Sequence, residues 1–508
     1  EYQSFCQVVG TREFFLHIEK TYPVLIRCIT EYVEKTIHFY EKVILWFHRD
    51  KEQIKHTFCN GKDVGKIIKI ESGLSDLHNE GQQVLKIEFQ NGEKILLKPR
   101  SMKNEQVYLE LLEWISKRTG TEQYCPLFLS YEDHSWCSIA EYQMCKSHEE
   151  LGRYYRRLGE QLFLTYFLGT RDIHYENLIA CGEYPVIVDL EALTYNTSVE
   201  SCHKAKDAIL DWINESVLSV GILPSYTWNS DGKGIDSSAM NGKRGQKLPF
   251  KMPVVANGET SDIRIVYKER ISSDGKNITR TEEGEEKLTE YIEDVIKGFA
   301  AAYLCAAKEK KEFAEQIKKL RHLESRYIVA HTQRYAMLLS SSYHPPLLMD
   351  GADREIFLYA LKDGRKDYEK EIIQREIRTL LAGDIPSFSF RMDDTGIYTG
   401  KERCIQGYFE ETAYSILQKK TDRLCVEDLQ NQCDLIRTSM ELIPENQTDY
   451  FNKMYKTGKC TNWSIEAEEK SRAQVVDSLA DRLCRYAIWN TNKTEVSWFV
   501  LRFSAQES

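Results

Sequence analysis

The chain has 508 residues, which at roughly 150 residues per domain predicts about three domains or subdomains. Its formal net charge is −10, from 68 Lys and Arg against 78 Asp and Glu, and this argues against a nucleic-acid partner because phosphate backbones attract basic surfaces. Hydrophobic residues reach 42%, enough for a substantial core, yet no apolar run approaches the roughly 18–20 residues of a membrane-spanning helix.

Residues 1–65 are predicted to form an N-terminal helical segment. Apolar side chains recur at helical spacing across Glu19–His56, with charged residues between them. Residues 66–146 then form a first lobe, in which strand patterns surround one helix at 104–116. The predicted strands cover 66–72, 83–89, 93–98 and 138–142. The Asn91-Gly92 pair between the second and third strands predicts a hairpin turn.

Residues 147–400 predict a second, mainly helical lobe. A helix with a capping box at its start covers about 149–168, and residues 185–190 form an apolar strand. The range 225–262 is dense in Gly, Ser and Asn, which predicts a long mobile loop. Residues 401–508 are assigned to a C-terminal helical region. Helical patterns cover most of three ranges, 282–340, 355–381 and 402–442.

The 14 cysteines are scattered along the chain. None forms a CxxC pair, and no Cys and His residues have the spacing of a zinc site. We therefore expect reduced thiols, no zinc and a cytoplasmic protein.

The stretch from Gly169 to Glu191 carries the residues that point most directly to chemistry. Asp172 and Asn177 are five residues apart, and Asp189 follows at the end of the apolar strand. Phosphoryl transfer from ATP needs a carboxylate to accept the substrate hydroxyl proton, and an amide with a second carboxylate to hold Mg²⁺. Each residue alone could be an ordinary loop polar group, but the combination predicts catalysis.

Lys98 supports the same interpretation. It ends the second strand of the predicted hairpin, where kinases place a lysine that pairs with ATP phosphates and with a helix carboxylate. The helix that follows carries three glutamates, Glu105, Glu110 and Glu113. Residues 72–81 lie where a phosphate-covering loop would be, but their glycines do not form GxGxxG, and a solvated turn is the alternative.

Together these motifs resemble the dehydratase domain of class II lanthipeptide synthetases. The D-x-H-x-x-N form of the Asp172 loop is also similar to the catalytic loop of phosphoinositide-kinase-like enzymes. The resemblance follows the family's order through short segments at 22–25, 75–79, 98–101, 154–159, 172–180, 189–191, 216–218, 223–224, 332–336, 344–345, 383–386, 487–488 and 497–498. It implies an α+β, predominantly helical protein with a lipid-kinase-like bilobal core and additional helices.

The resemblance implies a cytoplasmic peptide dehydratase that works in two steps. With ATP and Mg²⁺ it would phosphorylate Ser and Thr residues of a ribosomally made precursor peptide that carries a leader. The same site would then eliminate phosphate to give dehydroalanine or dehydrobutyrine.

The residues of the phosphorylation step are assigned by motif match. Lys98 would contact ATP phosphate, and Asp172 would orient or deprotonate the substrate hydroxyl. Asn177 and Asp189 would hold Mg²⁺, and Glu191 would help to position that group.

Further catalytic residues follow from the same resemblance. His174 would belong to the Asp172 loop, and Asp76 and His78 would also be catalytic. Arg326 and Thr332, six residues apart, match the pair that serves phosphate elimination in the family. A guanidinium and a hydroxyl can bind a departing phosphate dianion.

Two departures from the family pattern matter. Ala330 and His331 stand where many relatives have Arg-Pro, which bears on the efficiency of elimination. The family normally continues into a zinc cyclase domain, whose Cys and Cys-His ligands this chain lacks. We therefore expect a stand-alone or an excised dehydratase, with the cyclase separate or missing.

Two alternatives remain open. One is a kinase that phosphorylates a peptide or small molecule without eliminating phosphate. The other is a catalytically inactive relative that only binds a peptide, against which the intact Lys98, Asp172, Asn177 and Asp189 argue.

Overall fold

The computed structural model describes most of the chain as helices and small antiparallel sheets. The described residues are 2–197, 205–228, 234–242, 245–246, 251–272, 275–284, 287–441, 476–477, 480–481, 483–484, 487–490 and 492–498. None of the helices within these ranges combines the length and the apolar character that crossing a bilayer requires.

The helices match the early predicted patterns and divide the later ranges into shorter pieces. The α-helices are α1 (Tyr2–Val9), α2 (Arg12–Thr21), α3 (Pro23–Phe58), α4 (Lys103–Thr119), α5 (His148–Leu168), α6 (Ala205–Glu215), α7 (Ile292–Lys308), α8 (Lys310–Ile317), α9 (Thr332–Ser341), α10 (Gly351–Leu358), α11 (Lys370–Leu381), α12 (Ala413–Arg423) and α13 (Val426–Glu441). Short 3-10 helices cover Val217–Val220, Leu288–Tyr291, Lys318–Leu320, Pro345–Leu348, Tyr359–Lys362 and Asp367–Glu369.

The strands are short and pair antiparallel. They are β1 (Ile67–Glu71), β2 (Leu85–Phe89), β3 (Lys94–Lys98), β4 (Phe128–Ser130), β5 (Ser135–Ser138), β6 (Leu178–Cys181), β7 (Tyr184–Ile187), β8 (Tyr226–Trp228), β9 (Gly234–Asp236), β10 (Met252–Ala256), β11 (Arg264–Lys268), β12 (Glu324–Tyr327), β13 (Phe388–Arg391), β14 (Ile397–Thr399), β15 (Glu402–Ile405), β16 (Ile488–Trp489) and β17 (Val496–Ser497). In the described residues the two larger sheets have the orders β1-β2-β3-β5-β4 and β12-β13-β14-β15.

Helix α3 packs against the first sheet. Pro23 occupies the first turn of the helix, where its missing N–H costs no helical hydrogen bond. One apolar stripe of α3, including Val43 and Ile54, is fully buried against alternate residues of β2, Leu85 and Ile87. The helix predicted at 19–56 is thereby confirmed for most of its length.

The predicted hairpin is confirmed, and the last predicted strand of this lobe is wrong. Strands β2 and β3 pair around Gly92, whose φ of +87° is a left-handed conformation that favours glycine. The strand predicted at 138–142 lies instead at Ser135–Ser138, because these residues pair with β3. After Ser138 the chain leaves the sheet, and Gln143 N donates a hydrogen bond to Ala180 O at 2.9 Å.

Helices α5 and α7 form the centre of the largest apolar core and touch through their backbones. A Cβ atom on Gly159 would lie 2.1 Å from Val295 O, and one on Gly298 would lie 1.9 Å from Arg156 O. Only glycine therefore fits at this crossing. At its C-terminus α5 ends at Gly169, whose φ is +73°, and the chain then enters the Asp172 loop.

Two helical predictions in the C-terminal half are wrong where strands replace them. Residues 282–340 contain α7 and α8, but Arg326 lies on strand β12 and not on a helix. Residues 402–405 form β15 in the same sheet. Strand β12 pairs with β13, about sixty residues later, and such long-range pairing overrides local propensity.

The range 225–262 is not the unstructured loop that its composition predicts. Its described residues include a hairpin of β8 with β9 and the strand β10, which pairs with β11. Ala239 N donates to Gly221 O at 2.9 Å and Met240 N to Ile222 O at 3.0 Å, and both residues are buried. The prediction of little apolar anchoring is therefore wrong for this stretch, whereas mobility elsewhere in the range stays a prediction.

Part of the predicted C-terminal helical region, residues 442–475 and 499–508, lies outside the described residues. The described remainder contains the strand β15, the helices α12 and α13, and the strands β16 and β17. The lipid-kinase-like bilobal core stays a prediction.

Candidate active site

The loop after α5 holds Asp172 in a left-handed backbone conformation with φ of +65°, which is uncommon for a residue with a Cβ atom. The carbonyl oxygen of Asp172 accepts hydrogen bonds from Asn177 Nδ2 at 2.8 Å and from His174 N at 3.1 Å. Arg171 N donates to Ala192 O at 3.1 Å, which ties the loop to the chain beyond the apolar strand. Local hydrogen bonds therefore fix the loop that the sequence predicted as catalytic.

The β6–β7 hairpin brings Asn177 next to Asp189. Val188 N donates to Asn177 O at 3.0 Å, so Asn177 lies beside the residue that precedes Asp189. Asn177 Nδ2 donates a hydrogen bond to Asp172 O, and Asp189 Oδ1 accepts one from Glu191 N at 3.0 Å. In the described part of the chain, Asn177 Oδ1 and Asp189 Oδ2 take part in no hydrogen bond.

The environment of the Asp172 carboxyl changes its acidity. Although the residue is exposed, desolvation by the surrounding protein is the main cause that raises the pKa of Asp172, and the nearby charge of Asp189 raises it further. Positive charges on His174, Arg326 and His331 oppose this rise. These effects also indicate that Arg326 and His331 lie near Asp172.

Lys98 is buried and contacts the chain next to Asp189. Its Nζ donates to Val188 O at 2.6 Å and lies 3.9 Å from Glu105 Oε1. The other two glutamates of α4 are engaged elsewhere, since Glu110 pairs with Lys319 and Glu113 with Lys117, each at 2.7 Å. Glu105 is therefore the helix carboxylate that accompanies Lys98.

Arg100 connects three carboxylates of the site, a role for which sequence reasoning gave no prediction. Its Nη1 and Nη2 donate to the two oxygens of Glu105 at 3.1 and 2.6 Å. Nη2 also lies 2.9 Å from Asp189 Oδ1, and Nε lies 2.7 Å from Glu191 Oε1. Burial alone would lower the pKa of Arg100, but the three carboxylates raise it well above its usual value. The period-two alternation of β3, continued past Pro99, would have placed Arg100 on the same face as Lys98.

Glu191 joins this cluster to Arg326. Arg326 Nη1 lies 3.1 Å from Glu191 Oε2, and Arg326 N donates to Glu191 O at 2.8 Å. Burial would raise the pKa of Glu191, but the charges of Arg100 and Arg326, followed by His78 and Lys98, lower it to about 2. Glu191 is therefore an ionised carboxylate shared by two guanidinium groups.

The remaining residues implied by the resemblance have no direct hydrogen bond to this charged cluster in the described part of the chain. His78 bonds through Nδ1 to Ile385 O at 2.9 Å, and it is among the groups that lower the pKa of Glu191. Asp76 is exposed, and within the described residues no hydrogen bond or ion pair joins its carboxylate to the site. Thr332 is the first residue of α9, after His331, and among the described residues no hydrogen bond joins its side chain to Arg326.

Comparisons with known proteins show what the chain is similar to. A family model described as "Domain of unknown function (DUF4135)" matches residues 22–391, a range that contains every site residue named above. The chain is 25% identical over 524 residues to the "Lacticin 481/lactococcin biosynthesis protein LcnDR2" of Lactococcus lactis subsp. lactis. That alignment covers 97% of this chain and 53% of the relative, so the chain spans about half the length of the curated relative it matches.

Proposed function

The chain belongs to the DUF4135 family, and from this premise we propose that it is a lanthipeptide dehydratase. It would phosphorylate Ser and Thr residues of a leader-bearing precursor peptide with ATP and Mg²⁺, and then eliminate the phosphate. The name of the relative, a lantibiotic biosynthesis protein, supports a peptide-modifying role. The observation that carries the proposal is that Glu191 contacts both Arg100, beside the predicted nucleotide site, and Arg326, the residue implied in elimination.

We infer that the oxygens of Asn177 and Asp189 would hold a magnesium ion. Mg²⁺ prefers hard oxygen ligands and is commonly held by one or two protein groups together with nucleotide phosphates. In the described ranges no group of three or more His, Cys, Asp or Glu side chains has a metal-holding arrangement. The protein ligands would be Asn177 Oδ1 and Asp189 Oδ2, and the bound ion would neutralise phosphate charge.

The chain's own residues have distinct tasks in phosphorylation. Asp172 would accept the proton of the substrate hydroxyl, and its raised pKa makes it a better base than an ordinary aspartate. Lys98 would turn from Val188 O toward a nucleotide phosphate, over a short distance because its Nζ is already at the site. Arg100 would keep Glu105, Asp189 and Glu191 in fixed relative positions.

Elimination would depend on Arg326, which contacts the other carboxylate oxygen of Glu191. A base removes the α-proton, the carbon–carbon double bond forms, and the bond between Cβ and the phosphate oxygen breaks. The leaving phosphate carries the charge, and the planar guanidinium of Arg326 matches its oxygens. To bind it, Arg326 would exchange its contact with Glu191 Oε2 for the phosphate.

One observation favours the second candidate, a kinase without elimination. Arg326 is already engaged by Glu191, and the residues before Thr332 are Ala330 and His331 rather than Arg-Pro. If the ion pair between Arg326 and Glu191 does not open, Arg326 cannot bind the leaving phosphate, and the reaction would stop at the phosphopeptide.

The mass of the product separates the candidates. The chain is incubated with ATP, Mg²⁺ and the leader-bearing peptide encoded beside its gene, and the peptide is weighed over time. Loss of one water per modified residue supports the dehydratase, and a stable gain of one phosphate group supports the kinase. Reactions without ATP, and with the peptide lacking its leader, are the controls. An unchanged peptide in the complete reaction would contradict both.

A further inference from the structure

Asp384 is a buried carboxylate, 5% exposed, that ties together three elements outside the set described above. Its Oδ1 accepts a hydrogen bond from Gly81 N at 2.9 Å, and its Oδ2 accepts from Glu80 N at 3.0 Å. Lys35 Nζ lies 3.0 Å from the same Oδ2. Since Lys35 belongs to α3 and Asp384 follows α11, the segment around Glu80 is fixed to both helices.

The segment held in this way has an unfavourable backbone conformation. Asn79, Glu80 and Gly81 have φ angles of +46°, +69° and +77°. Left-handed conformations are unfavourable for residues with a Cβ atom, and an anion bound to successive N–H groups is an interaction that maintains them. Without the charge of Asp384, this segment would relax to other conformations.

The same contact places His78 at the edge of the active site. Ile385 N donates to Leu77 O at 2.9 Å, and His78 Nδ1 bonds to Ile385 O at 2.9 Å. Leu85, where β2 begins after this segment, pairs with Leu97 of β3, next to Lys98, so the segment lies at the end of the sheet that carries Lys98. The sequence around Asp384 therefore determines where the 76–81 segment approaches the site.

The residue that follows Asp384 lies in a buried apolar cluster. Ile385 packs in an apolar cluster with Tyr335 of α9 and with Ile377 and Leu380 of α11. Helix α9 begins at Thr332, so Asp384 fixes the 76–81 segment to the same cluster that supports Thr332.

We propose that Asp384 is a positioning residue, which holds the 76–81 segment and its His78 over the nucleotide side of the active site through the N–H groups of Glu80 and Gly81. The proposal rests on the proposed function, because a nucleotide is what this segment would cover.

The test compares Asp384→Asn with the parent and with Glu376→Gln. Asn keeps the size of the side chain but turns an NH₂ group toward one of the donors, which removes the charged anchor. Glu376 is a matched control, because it is a buried carboxylate of α11 that binds Tyr335 and Arg365 and does not contact the segment. Circular dichroism checks the folding of each variant.

Two measurements are made on the full chain. Hydrogen exchange of the Glu80 and Gly81 amides should be about ten-fold faster in Asp384→Asn, because their acceptor is lost. Calorimetric titration with MgADP should give a dissociation constant about ten-fold higher in the same variant, whereas Glu376→Gln stays within about two-fold of the parent. With peptide and ATP, the KM for ATP should rise more than kcat falls, whereas loss of folded protein would lower kcat alone.

Each outcome decides the proposal. Unchanged exchange in a folded Asp384→Asn variant, or faster exchange with unchanged MgADP affinity, would overturn it. A parent that does not bind MgADP would overturn the proposed function and this positioning role together. If Asp384→Asn does not fold, Lys35→Met replaces it, since it removes one donor from the anchor: faster exchange supports the proposal, and unchanged exchange overturns it.

Discussion

Arg326 Nη1 lies 3.1 Å from Glu191 Oε2, while the other oxygen of Glu191 binds Arg100. A single carboxylate therefore stands between the residues expected to serve phosphorylation and the arginine expected to serve elimination. Because the two guanidinium groups bind different oxygens of Glu191, the two reactions should respond separately to mutation.

Arg326→Ala should accumulate phosphorylated precursor. The phosphorylation residues remain, but the leaving phosphate loses its guanidinium, and elimination should slow by about a hundred-fold or more. Arg326→Lys should replace it poorly, because an ammonium group lacks the planar fork. The mass distribution of the peptide over time is the measurement, with Arg391→Ala on the paired strand β13 as the control. Fully dehydrated product at the parent rate would show that Arg326 is structural.

Asp172→Asn and Asp189→Asn should each reduce phosphorylation by about a thousand-fold, because positioning and electrostatics supply most of this catalysis. The raised pKa of Asp172 means that the folded protein disfavours its ionised form, so a neutral side chain should leave the melting temperature equal to or above that of the parent. Near-normal phosphorylation by either folded variant would contradict the assignment.

Glu191→Gln should change the pH dependence of stability. The folded-state pKa of about 2 is below the ordinary value, so the ionised carboxylate stabilises the protein above about pH 4.5, and this contribution is lost as the pH falls toward about 2. The difference in free energy of unfolding between parent and variant should therefore be constant from about pH 5 to 8 and shrink below about pH 4.5. Urea titrations across this range measure it, and a difference that does not change with pH would contradict the ion pairing.

Arg100→Lys should impair phosphorylation although it conserves the charge. A lysine cannot contact Glu105, Asp189 and Glu191 together, so we expect kcat to fall by about ten-fold or more. Arg153→Lys is the control, since Arg153 pairs with Glu183 near the surface. Equal rates for the two variants would show that the guanidinium of Arg100 has no special role.

Hydrogen exchange should divide the range 225–262 into slow and fast parts. The amides of Ala239 and Met240 are bonded and buried, so they should exchange slowly, whereas Val255 is exposed on β10 and its neighbours should exchange quickly. Uniform protection, or uniform exchange, would contradict this division.

The sequence could predict the parts of the site that depend on local order. Asp172 and Asn177 are five residues apart in one loop, and the apolar strand before Asp189 has a clear pattern. Helix α3 and the hairpin at Gly92 follow from periodicity and from one turn signal. In these cases the interactions that decide the structure lie within a few residues of each other.

The remainder depends on contacts between distant residues. Arg326 was predicted within a helical range because nothing near it indicates that β12 pairs with β13. Glu80 and Gly81 bind Asp384, which is about three hundred residues away in sequence, and no periodicity reports such a contact. The composition around residues 239–240 predicts an exposed loop, but two backbone hydrogen bonds to Gly221 and Ile222 hold these residues in a buried position.

A small rotation of α5 at its crossing with α7 would move the end of the helix that leads into the Asp172 loop. From Gly159 to Gly169 the helix extends about 15 Å, so a tilt of about 4° at the crossing would move its far end by about 1 Å. A methyl group at Gly159 or Gly298 would push the two helices apart at their crossing. A shift of about 1 Å at a catalytic group can cost about a hundred-fold in rate. Inactive, folded mutants should therefore include substitutions at glycines that touch no substrate.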